Sequence, residues 1–148
     1  MNPTEVASDF VLLLSSGAEA SGAKLFSAYE SNCISSTTAS IPRAIVSVST
    51  VKFDSFPIAS PTFSGEVEIE LIVPRATTDF NGVIGSFLEF IENTFRSSNA
   101  RANFNAVSKK IYAGELRLSR IETPSVSSDE ELSIVCFVSI VGETKQKQ

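Results

Sequence analysis

The clearest hydrophobic pattern lies within residues 64–95, where the period changes from two to about 3.6. Val67, Ile69, Leu71 and Val73 alternate with Glu66, Glu68, Glu70 and Ile72. Successive strand side chains point to opposite faces, so this spacing predicts a strand with one packed face and one wet, acidic face, as antiparallel sheets allow. Pro74 lacks a ladder donor and closes the strand. Thr77, Thr78 and Asp79 then offer N-cap oxygens. From there the period becomes helical. Phe80, Val83, Ile84, Phe87, Leu88, Ile91 and Phe95 form one stripe, with Asn81, Ser86, Glu89 and Glu92 opposite. Gly82 and Gly85 weaken the helix by about 1 kcal/mol each, less than burial of the stripe returns. The expected unit is a helix laid across a sheet.

The flanking pattern completes the picture. Residues 3–32 read as helical, in one bent piece or two, with Val6, Phe10, Leu13 and Leu14 as a stripe and Gly17 and Gly22 as interruptions. Leu25, Phe26 and Tyr29 resume the helical spacing, and a Ser/Thr-rich loop follows over 31–40. Residues 42–53 predict a strand whose phase slips near Ser49 or Thr50, the sign of a bulge. The loop 54–62 carries Pro57 and Pro61 and sets Phe56 and Ile58 between them, with Phe63 just beyond; such residues tuck beneath the loop or meet a partner. Residues 96–105 read as polar linker. Two strands, 110–123 and 131–141, then flank a loop containing Pro124, Ser127, Ser128 and Asp129, with a bulge expected at Gly114. In the second, Leu132, Ile134, Cys136, Val138 and Ile140 alternate with a face that also carries Val135, Phe137 and Val141. A strand apolar on both faces is central or touches another subunit. The tail 142–148 is polar and expected to fray. The predicted fold is one α+β domain over 1–148: a mostly antiparallel four-stranded sheet packed by an N-terminal helix and a central helix.

Composition narrows the function more than it defines it. The chain has 148 residues and a formal charge of −5, which disfavours a general nucleic-acid binder. Cys33 and Cys136 have neither metal nor disulfide-framework spacing. The apolar run 10–14 is too short to span a bilayer and has no basic region before it, so a targeting segment and a membrane partner are not expected. There is no histidine, which removes serine–histidine and cysteine–histidine nucleophiles and the commonest metal ligand. The segment Gly17-Ala-Glu-Ala-Ser-Gly22-Ala-Lys24 misses the phosphate-loop pattern, because Ala23 separates glycine from lysine and Leu25 follows. The remaining polar constellation is Glu66, Glu68 and Glu70, about 6.5–7 Å apart in steps along one strand face. A solvated acidic face is the ordinary reading. A cation or acid/base site is another, and a surface that repels DNA phosphate is a third. No catalytic, cofactor or metal site is expected.

The order helix, strand, loop, strand, helix and two further strands resembles the tail terminator and tail-completion proteins of long-tailed bacteriophages. The segments that carry it are Ile41-Pro42-Arg43-Ala44-Ile45-Val46, Phe63-Ser64-Gly65-Glu66-Val67-Glu68-Ile69-Glu70-Leu71, the helix 79–95, Gly114-Glu115-Leu116-Arg117-Leu118 and Leu132-Ser133-Ile134-Val135-Cys136-Phe137-Val138. The match is one of element order over residues 3–141, without an invariant motif. It implies a virion protein, made in the host cytoplasm, that forms a ring, usually a hexamer, on the tail tube. That ring would stop tube polymerisation, receive the neck and head-completion proteins, and let DNA pass unbound. Phe56, Ile58, Phe63, Val135 and Phe137 are then the expected subunit or tube contact, and Glu66, Glu68 and Glu70 the acidic channel lining. A neighbouring neck or head-completion ring, and a non-viral ligand-binding regulatory domain with a concave apolar pocket, are the alternatives.

Overall fold

The computed structural model describes residues 3–20, 26–30, 42–53, 63–75, 79–96, 98–108, 110–122, 125–128 and 131–146. In chain order these form α1 (Pro3–Ala20), β1 (Ser27–Glu30), β2 (Arg43–Phe53), β3 (Phe63–Pro74), α2 (Phe80–Arg96), α3 (Ala100–Val107), β4 (Lys110–Ile121), β5 (Ser125–Ser128) and β6 (Glu131–Gln146). The strands make one six-stranded sheet of order β1-β2-β3-β6-β4, with β5 also paired to β6. The β1–β2 pairing is parallel and the others are antiparallel. The class is α+β, and the sheet, expected to be mostly antiparallel with four strands, has six strands and is mixed through the one parallel pairing.

The helices bury one face of this sheet. Val67, Ile69, Leu71 and Val73 of β3 are fully buried in a core shared with Phe87, Ile91 and Phe95 of α2 and Val6, Phe10 and Leu14 of α1. Rings lock the layer. Phe10 lies 5.7 Å from Phe95 and 4.8 Å from Phe104, and Phe26 lies 5.5 Å from both Phe87 and Phe90. Each aromatic pair adds about 0.5–1.5 kcal/mol beyond burial. A buried hydrogen bond ties α1 to the end of α3: Ser108 Oγ donates to Asp9 Oδ2 at 2.6 Å. The bulge expected in β2 is present as a register shift between Val48 and Thr50, which sets Val51 opposite Gly65 on the core side of β3.

Five expectations are corrected. Of the stretch 3–32 expected to be helical, Pro3–Ala20 is a helix and Ser27–Glu30 is a strand, the other residues apart from Phe26 lying outside the described set; Phe26 and Tyr29 mimic helical spacing, but Phe26 packs on Phe87 and Phe90 from just ahead of β1. The linker 96–105 contains α3, whose anchors Ala100 and Phe104 stand four apart with polar residues outward, too short a pattern to stand out. The polar hairpin loop holds β5, which pairs through its main chain with β6. The tail is paired as far as Gln146, opposite Lys110. The bulge of β4 lies between Leu118 and Arg120, while Gly114 keeps register opposite Gly142.

Candidate functional site

The sheet's second face carries no helix among the described residues. On β3 it presents Glu66, Glu68, Glu70 and Ile72, and the register sets these beside Ser139, Phe137, Val135 and Ser133 of β6. The predicted residues Glu66, Glu68, Glu70, Val135 and Phe137 are therefore brought together on one surface. Phe63 begins β3 opposite Phe53 and Gly142, its side chain outside the described set. Phe56 and Ile58 lie outside the described residues, as do Thr77, Thr78 and Cys33.

This face is not a plain solvated surface. Ile72, Ser133 and Phe137 are buried, although Ile72 and Phe137 belong to no part of the helix-side core. Arg120 of β4 sits over the Phe137 ring, its guanidinium carbon 3.7 Å from the ring centre. It reaches Glu66 at 3.5 Å and Glu122 at 3.9 Å. At the other end Arg43 Nη2 of β2 donates to Glu131 Oε2 at 2.9 Å, while its Nη1 is buried without an acceptor among the described residues. Glu68 makes no ion pair there. Burial, and then the neighbouring Glu68, push the Glu70 carboxyl above its usual range, with Arg43 opposing.

The sequence hid the arginines. Arg120 is in phase with Leu116 and Leu118, which are core residues. Only the bulge before it turns Arg120 to the open side, opposite Phe137. Arg43 was legible in hindsight, because it alternates with buried Ala44 and shares a face with Ile45. The acidic strand is thus flanked by cations on β2 and β4, and the surface is mixed in sign.

A depression of about 290 Å³ on the open face is lined by Lys52, Ser64, Gly65, Glu66, Ser139 and Val141. Among the described residues no group of three or more His, Cys, Asp or Glu side chains is placed to hold a metal. Cys136 is buried in the helix-side core. Desolvation pushes its thiol up to about 12, so it keeps its proton and stays unreactive. No described helix is long and apolar enough to cross a membrane.

No protein-family model matches the sequence, and no curated protein does. Among solved structures, a chain whose designation names no activity matches over 99% of both chains, with TM-score 0.60 and 14% identity. At that identity the likeness establishes a shared fold and nothing of function.

Proposed function

We propose that this protein is a structural virion subunit, a tail terminator that closes a bacteriophage tail tube as a ring. The observation that carries the reading is the uncovered sheet face, where Phe137 and Ile72 are already buried and Glu70 is already partly desolvated. A surface so prepared loses little on association, because much of its desolvation cost is met within the protomer. Within the observed order, α1, β2, β3, α2, β4 and β6 follow the sequence of elements on which the resemblance rests, with β1, α3 and β5 in addition. The glutamates, expected as channel lining, serve this reading better within a subunit contact, since arginines flank them on both sides. Tail-tube and neck proteins are the further partners, and DNA passes without specific binding.

The test is tail assembly with the protein omitted, followed by electron microscopy. Tubes of unregulated length, or tails that fail to join heads, are the expected result. Normal virions formed in its absence would overturn the reading.

A further inference from the structure

One edge of the sheet carries a charge pattern that its open face lacks. β4 is 12 residues long, ends the strand order and, among the described residues, pairs with β6 alone. Its outer side presents main-chain donors and acceptors, which natural sheets blunt with short strands, bulges or charge. Leu116 and Leu118 are buried on the helix side. The register sets Glu115 opposite Val141 and Arg117 opposite Ser139. By strand alternation an acid and a base therefore flank Leu116 on the sheet's open side.

We infer that β4 of one copy pairs antiparallel with β4 of a second copy, about a two-fold axis at Leu116, so that two sheets become one. With Leu116 opposite Leu116 of the second copy, Glu115 stands opposite Arg117 of that copy, and Arg117 opposite its Glu115. Gly114 then faces Leu118 and brings no side chain to crowd it. The neighbouring registers fail. Slipping one strand by a single residue sets helix-side positions against open-side ones. Slipping it by two sets Arg117 against Arg117 in one direction and Glu115 against Glu115 in the other, and like charges directly opposite are destabilising. A parallel, in-register pair also sets each charge beside its own kind. The bulge between Leu118 and Arg120 bounds the regular pairing at both ends. Such a contact is isologous and closes on two copies. It stands independently of the ring reading and leaves both open faces uncovered, on the same side.

Charge reversal, alone and in mixture, tests the register by analytical ultracentrifugation. Glu115→Arg and Arg117→Glu each set like charges across both symmetry-related pairs, so each should raise the dissociation constant of the two-fold contact about tenfold or more. An equimolar mixture of the two variants restores opposite charges at every pair, as does a chain carrying both substitutions. Either should return association to near the wild-type value. The inference is overturned by a wild-type chain that sediments as the protomer at every concentration, by single reversals that associate like wild type, or by a mixture no tighter than its components. Circular dichroism and thermal midpoints verify folding of each variant. Should one fail to fold, cysteines read the register instead. In a Cys33→Ser background, Glu115→Cys mixed with Arg117→Cys should form an intermolecular disulfide under mild oxidation, whereas Glu115→Cys alone stands too far from its own copy to do so. No disulfide in the mixture, or as much from Glu115→Cys alone, would again overturn the contact. Normal virions formed without the protein would remove the terminator reading and leave this pairing standing.

Discussion

Glycines at three positions of the helices separate backbone propensity from packing. At Gly85, in the exposed middle of α2, an added Cβ meets nothing within 4 Å. Gly85→Ala should therefore raise protomer stability by about 1 kcal/mol, read as a higher denaturation midpoint in urea. The same change at Gly82 should not help, because its Cβ would overlap the carboxylate of Asp79, folded over the first turn. Asp79 itself takes φ 53°, a left-handed position that Asp tolerates better than most residues. Gly17 admits the Phe90 ring to 2.6 Å from where a Cβ would stand, so it serves the close approach of α1 and α2. Glu70 gives a prediction in pH. Its folded pKa is raised above the ordinary 4.5, first by burial and then by Glu68. A raised folded pKa means the contribution is fully present below pH 4.5 and is lost as pH rises through the folded value. Glu70→Gln should therefore raise the thermal midpoint of the isolated protomer at pH 7, and the gain should vanish in acid. Side-chain alternation made the acidic line itself readable, but the burial of Glu70 between Ile45 of β2 and Val135 of β6 is a matter of strand pairing that no local pattern reveals.

At the scale of elements, strong periodicity was sufficient and weak periodicity was not. β3 and α2 were legible because four alternating aliphatics and a long apolar stripe each repeat one period without interruption. β1 and α3 were not, since a four-residue strand and an eight-residue helix show too few repeats to set period two apart from 3.6. Parallel pairing adds a further obstacle: it joins residues across a crossover, here Ser27 with Arg43, and leaves no local turn signature. The same logic hid β5 within a serine-rich loop. Single truncations should weigh the elements. Leu71→Ala removes a fully buried side chain from the centre of β3 and should cost about 2–5 kcal/mol. Phe104→Ala removes the anchor of α3 against Phe10 and should cost about 3–5 kcal/mol. Equilibrium denaturation measures both. A loss below about 1 kcal/mol at Phe104 would mean that α3 is not held by this ring.

The whole molecule combines a helix-covered face and an open face of mixed sign with a net charge of −5. In the proposed hexameric ring, six copies at −5 each would carry roughly −30 before counterions, which would disfavour adhesion of phosphate where such a ring met DNA. The order of strands in the sheet has a consequence in time as well as in space. β6 is the last of the six strands in sequence, yet it lies between β3 and β4. Phe63 must find Gly142, roughly 80 residues away, and pairing at such separation makes folding slow. During synthesis, β1, β2 and β3 can join early, but β3 then keeps a bare edge that invites strand addition by other chains. Phe137 and Val135 belong to β6, so the open face has neither its ring nor its seat for Arg120 until that strand arrives. In the proposed assembly, completion of the fold and competence to associate would therefore be one kinetic event: a nascent chain lacks the finished open face.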